Sequence, residues 1–428
     1  MQPVAASSLK LLFVNLTNDV GANRIVEEFG RRGADCGVLG GAGNYAAASS
    51  FAHRTFPLAS GARAPFAAPM TRRALEQILA TWRPDRIFAI DESGSHLLRH
   101  IAISPRASLE LRQILTTSLG DLAFYATATC RAGLMELARS IGIRAPDFAV
   151  IGSWADAIVA GEQLGYPFFL KREYTCGGAG VRRIRHVAEL RSAFAAGMLR
   201  ATGKRIVARL GGHSPAASPP LMAQALVSGV VAFRAIACEK GETLTGVSFL
   251  CERQDPPDVG ASTIVQQIDH AEMAASAAAL VARLGCSGFA GFDYILDDQG
   301  RAHLIEMNAR PIGTSHLGAR FGFDLYGAYL ARARGAPAPV AEPQFGPGER
   351  IAIFPREILR DPYSEAFDPG SEVFHDVPWG DAPALALHQV RIMARWPDQK
   401  ARIEQILTPP NPTGQTIQPL KRQDSNAA

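Results

Sequence analysis

Residues 303–311 read HLIEMNARP, which sets Glu306, Asn308 and Arg310 at every second position of an otherwise apolar run. Alternate side chains of a strand share a face, so an acid, an amide and a guanidinium line up together. Just upstream, GFDYIL carries Asp293, and the intervening DDQGR is a polar turn rich in Asp and Gly, the mark of an antiparallel hairpin. Pairing Leu296 with His303 brings Asp293 opposite Glu306. Gly291, Asp293 and Ile295 then share a face on one strand and Leu304, Glu306 and Asn308 on the other, with His303 on the opposite face. Two carboxylates facing across a strand pair repel, and burial makes their ionisation costlier, so a cation is expected between them. Two carboxylates and an amide oxygen, with neither Cys nor His, form a hard site suited to Mg²⁺ completed by water and phosphate oxygens. Pro311 biases Arg310 toward an extended backbone, so Arg310 should continue the strand on the same face. A solvated strand face is the plain alternative, but it explains poorly why Asn and Arg follow the Glu in step.

Farther upstream, YPFFLKREYTCGGAGV runs from a strand through Lys171 into a loop with Gly177, Gly178 and Gly180. It lacks the Gly-Lys-Ser/Thr of a Walker A loop. Adjacent glycines still let backbone N–H groups approach a phosphate, and the lysine supplies a point charge; an ordinary glycine turn is the alternative for this loop alone. Asp91 and Glu92 follow the strand-like RIFAI, at the carboxyl end of a parallel strand where open α/β sheets bind ligands. They are candidate substrate contacts, with a polar loop as the alternative. GAGNYA at 41–46 imitates a dinucleotide fingerprint but follows the second expected strand rather than the first, which disfavours NAD.

The elements that must position these residues fall into blocks. LKLLFVNL, NRIVEEFGRRG, CGVLG, TRRALEQILATW and DRIFAID alternate strand and helix, implying βαβ units and a parallel sheet over residues 1–118. From 119 to 335 a helix at CRAGLMELARSIGI gives way to strands joined by turns, PFFLK, LMAQALV and VVAFRAIAC, so this block is expected to be α+β. A Pro/Ala linker leads into a small extension over 336–408, and the polar 409–428 tail is expected to be disordered. The 428 residues exceed one hydrophobic core, and 47% hydrophobic content suits a globular protein. A net charge of +4 without basic blocks argues against nucleic acid. Six scattered cysteines without CxxC pairs fit reduced thiols. The absence of a leader-like start or of a long apolar run points to a cytoplasmic protein without a membrane partner.

RAGLMELARSIGIRAPD, FFLKREYTCGGAGV, LMAQALVSG and GFAGFDYILDDQGRAHLIEMNARP, in this order, resemble the motifs of the ATP-grasp superfamily of ATP-dependent carboxylate ligases, over roughly residues 5–330. The resemblance implies an α/β N-terminal parallel-sheet domain followed by an α+β ATP-grasp domain and the C-terminal extension. It implies ATP and Mg²⁺, with Mn²⁺ an acceptable substitute, and a small-molecule carboxylate and amine as partners; a homodimer is admitted. It makes Arg131 and Lys171 phosphate contacts and Gly177 to Val181 the loop over the triphosphate. Gln224, Ala225 and Leu226 become the adenine-reading hinge, Asp293, Glu306 and Asn308 the metal ligands, and Arg310 the stabiliser of the transferring phosphoryl group. His316 falls where relatives line the acceptor site. Val231 stands where several relatives carry a ribose-binding Glu. The implied reaction joins a carboxylate to an amine through an acyl phosphate. A kinase-like phosphotransferase and a non-catalytic nucleotide-binding module remain as alternatives.

Overall fold

The computed structural model describes residues 8–17, 19–58, 67–172, 180–197 and 221–409. The apolar run LLFV becomes β1 (Lys10–Asn15), and Leu11 to Val14 are all completely buried, as a central strand of a parallel sheet covered on both faces must be. β2 (Asp35–Gly40), β3 (Arg54–Pro57) and β4 (Arg86–Ala89) complete this parallel sheet in the order β3-β2-β1-β4. The short, largely exposed β3 had no signal in the sequence. Helix Ala22–Arg31 covers one face with Ile25, Val26 and Phe29. Helices Ala67–Thr81, Glu92–Ala102 and Leu109–Leu119 cover the other.

A four-stranded antiparallel sheet follows, in the order β5 (Phe148–Ile151), β8 (Leu221–Ala225), β6 (Phe168–Arg172), β7 (Val181–Ile184). It has a small core of its own around Phe168, Leu170 and Ala223. The largest sheet runs β13 (Ala302–Asn308), β12 (Gly288–Leu296), β9 (Val230–Glu239), β10 (Glu242–Asp255), β11 (Ala261–Ile268), β14 (Arg350–Ala352), β15 (Val373–His375). One of its faces meets helices Arg131–Ser140 and Ala271–Leu284. The other shares an apolar core with the N-terminal sheet, where Phe29 packs edge-on to Phe289 and Tyr326 at ring-centroid distances of 5.7 and 5.0 Å.

The segment after 335 adds an edge to this sheet. β14 pairs antiparallel with β11, and β15 lies parallel to β14. Residues 410–428 of the expected disordered tail lie outside the described residues. Among the described residues no helix is long and apolar enough to cross a membrane, and Cys36, Cys130, Cys238, Cys251 and Cys286 are free thiols.

Candidate active site

Asp293 does face Glu306 across β12 and β13, and Gly291 faces Asn308. The expected register fails nearer the turn, where Leu296 pairs with Ala302 and His303 with Ile295. A β-bulge at Ile305 reconciles the two halves by inserting one extra residue into β13. Its effect on facing is large. Leu304, expected beside Glu306, instead packs with Phe292, Tyr294 and Met307 in the apolar core. His303, expected on the far side, shares the face of Ile295 and pairs with Asp297 at 3.0 Å.

The acids open into a cavity of about 880 Å³, also lined by Lys171, Gln224, Ala225, Leu226, Asn308, Arg310 and His316. Asp293 is raised well above the ordinary aspartate range, first by burial and then by the Glu306 charge, with Arg310 and Lys171 acting in the opposite direction. Nδ2 of Asn308 donates to Asp293 at 3.3 Å. Lys171, 5% exposed, is placed by the pairing of β6 with β7.

Arg310 does not continue the strand. β13 ends at Asn308, and the Arg310 N–H turns back onto the Asn308 carbonyl at 2.8 Å. The guanidinium nevertheless reaches the expected face, donating to Asn308 Oδ1 at 3.0 Å and, through Nε, to Glu92 at 2.9 Å. Burial pushes the Glu92 carboxyl up, but the His96 hydrogen bond and the Arg310 charge outweigh it and hold its pKa down to about 2.

Glu92 and Asp91, neighbours in sequence, differ in use. Asp91 caps helix Glu92–Ala102 by accepting from the Gly94 N–H at 2.6 Å, while its other oxygen accepts from the N–H groups of Leu16 and Thr17. Its carboxylate is consumed by the backbone and does not line the cavity, so the expected substrate contact is not seen. Arg131 stands behind the cavity wall, paired with Glu306 at 2.5 Å and donating to the Arg172 carbonyl. Gln224 donates to the Met135 sulfur at 3.6 Å. Val231 lines the same cavity, so the side chain at the expected ribose position is apolar. Gly180 accepts the Arg172 N–H at 3.0 Å; Gly177 and Gly178 lie outside the described residues.

Two groups from beyond 335, one in the cavity wall and one behind it, escaped the sequence reading. Arg356 lines the cavity next to Gly313 and donates weakly to the Ser262 carbonyl at 3.4 Å. Burial opposes its charge, the Asp19 carboxylate in the same cavity works against that effect, and the nearby Arg310 adds to it; among the described residues no carboxylate lies within ion-pair distance. A basic residue after a short β-rich run was its only sequence trace. Asp376 pairs with His316 at 2.6 Å and with Arg24 at 2.7 Å; an acid following His375 in the otherwise apolar VFHDVPW was the available signal.

No family model matches the chain, and no curated protein does. Solved structures do. N5-carboxyaminoimidazole synthase from Aspergillus clavatus, in complex with ADP and 5-aminoimidazole ribonucleotide, is 17% identical with a TM-score of 0.54, covering 78% of this chain and 79% of that one. The biotin carboxylase domain of Hydrogenobacter thermophilus 2-oxoglutarate carboxylase, with MgADP and bicarbonate, is 14% identical with a TM-score of 0.55, covering 79% and 72%. L-amino acid ligase from Bacillus licheniformis is 16% identical with a TM-score of 0.52, covering 77% and 75%. The fold is therefore that of the ATP-grasp enzymes.

Proposed function

We propose that this protein is an ATP-dependent ligase that phosphorylates a substrate carboxylate to an acyl phosphate and passes the acyl group to an amine, releasing ADP and phosphate. The observation that supports this most is the meeting of two carboxylates and an amide oxygen with three cations in one cavity: Asp293, Glu306 and Asn308 together with Lys171, Arg310 and Arg356. The oxygen set fits Mg²⁺. Asp293 and Glu306 face each other with the Asp293 charge opposed by burial and by its neighbour, a conflict that a divalent cation relieves. Mg²⁺ there would neutralise phosphate charge.

The chain's own residues supply positioning and charge. Gln224, Ala225 and Leu226 edge the cavity where a base would lie, and Lys171 meets the phosphates as a point charge. Arg310, held from two sides, presents a fixed fork to the transferring group. Arg356 is a cavity-lining guanidinium whose charge is opposed by burial and only in part supported by Asp19, and we assign it the substrate carboxylate. A cytoplasmic location fits the free thiols.

The test is phosphate release from ATP in pools of small carboxylates and amines. Release is expected only when both are present, and it should vanish in Asp293→Asn and Glu306→Gln, which each remove one anionic ligand while sparing the fold. ADP formed without free phosphate would indicate transfer to a hydroxyl and overturn the ligase reading.

A further inference from the structure

His316 and Asp376 come from distant segments, the turn after β13 and the residue after β15, and meet behind the cavity wall that His316 lines. Their side chains are 5% and 1% exposed. His316 Nε2 lies 2.6 Å from Asp376 Oδ2. The other carboxylate oxygen accepts from Arg24 Nη2 at 2.7 Å, and Arg24 is paired in turn with Glu27 at 2.6 Å. Burial alone would raise the Asp376 carboxyl, but the Arg24 charge and the His316 hydrogen bond act against it, and the carboxyl is held well below the usual range.

An ionised carboxylate only accepts hydrogen bonds, so the proton of a neutral His316 sits on Nε2 and the lone pair on Nδ1. Among the described residues Nδ1 has no hydrogen-bond partner, and the ring lines the same cavity as Asp293, Glu306 and Arg310. A merely structural tie would not require this arrangement. Buried ion pairs contribute little net stability, whereas a carboxylate that fixes the tautomer and orientation of an imidazole is what a general base needs.

We propose that His316 is the proton acceptor for the attacking amine and that Asp376 positions it; this rests on the acyl-phosphate reading above. The amine nitrogen forms a bond to the acyl carbon and is left with one proton too many. Nδ1 takes that proton. The tetrahedral carbon then expels phosphate with the electron pair of the C–O bond, and the imidazolium returns the proton to the departing phosphate, so the base is regenerated. Arg24 keeps Asp376 ionised throughout.

The test compares two nucleophiles on the full-length protein with ATP, Mg²⁺ and pooled L-amino acids as probe carboxylates and amines. Hydroxylamine, whose nitrogen is unprotonated and strongly nucleophilic at neutral pH, captures an acyl phosphate as a hydroxamate with little need of a base. In His316→Gln, whose amide can still donate to Asp376, amine-dependent turnover should fall on the order of 10²-fold relative to hydroxamate formation. Asp376→Asn should change the same ratio in the same direction by a smaller factor, a selectivity that a general loss of structure would not produce. ATP-induced thermal stabilisation confirms that each variant is folded. If both rates fall together in folded His316→Gln, the proton-acceptor role is wrong while the ligase reading stands. If the unaltered protein forms ADP with no hydroxamate under any pool, the acyl-phosphate reading fails and this role fails with it.

Discussion

Arg310 is held from two sides, by Glu92 at 2.9 Å and by Asn308 at 3.0 Å, so its fork is fixed before any substrate arrives. Donors fixed in advance need no reorganisation when charge develops, which is where they lower a barrier. Arg310→Ala should therefore reduce kcat on the order of 10²-fold with a smaller effect on KM for ATP. Lysine should rescue only in part, because one ammonium cannot bridge both partners with the same geometry. Weakened ATP binding at unchanged kcat would instead make Arg310 a ground-state anchor. Glu92 gives a second test, through pH. Its folded pKa of about 2 lies below the ordinary 4.5, so the folded state binds its proton less tightly than the unfolded state does. The stability this contributes is fully present above about pH 4.5 and is lost as pH falls toward 2. Glu92→Gln should flatten that acid limb in thermal melts. Identical limbs for the two proteins would remove Glu92 from the acid response.

At the scale of elements, the hairpin works because of one extra residue. Regular alternation would put Leu304 and Glu306 on one face, whereas the bulge at Ile305 sends Leu304 into the core and leaves Glu306 in the cavity. The loop after the hairpin is set by a close approach. A Cβ at Gly291 would stand 2.3 Å from Ile312 Cγ2, and Ile312 lies between Arg310 and His316. Gly291→Ala should push that loop outward. We expect a loss of about 1–3 kcal/mol in unfolding free energy from overpacking, read by denaturant titration, together with a loss of activity larger than the stability change explains. Unchanged activity in this variant would show that the loop tolerates displacement.

Across the whole molecule, three segments far apart in sequence build one cavity: the ends of β1 and β4, the strands of the four-stranded and seven-stranded sheets, and the stretch after 335. That last stretch supplies β14 and β15, Arg356 and Asp376, and it shields the β11 edge. A chain ending at Gly335 would leave that edge bare and remove Asp376 from Arg24, leaving Glu27 as its remaining carboxylate partner among the described residues, which invites edge pairing and breaks a buried ion-pair network. We expect this truncation to aggregate or to lose its cooperative thermal transition. A soluble truncated chain that melts cooperatively and is stabilised by ATP would show that the extension is dispensable for the fold.

Local pattern carried the elements and much of the site. The apolar run at Leu11 to Val14, the polar turn DDQGR and the row of Glu306, Asn308 and Arg310 could be read because strand periodicity and turn chemistry are properties of a few neighbouring residues. The row also implied a hard cation site, since opposed acids need a counter-charge wherever they are buried. Tertiary structure decided the rest. The bulge at Ile305 leaves no compositional mark, so the facing of Leu304 and His303 was misread and the strand appeared to extend through Arg310. Asp91 and Glu92 look equivalent in sequence, yet backbone N–H groups consume one and Arg310 takes the other. Arg356 and Asp376 had no motif to announce them, because their significance lies in what stands opposite them. Periodicity tells a residue which way to point from its own element; which partner it meets is settled only when distant elements pack together.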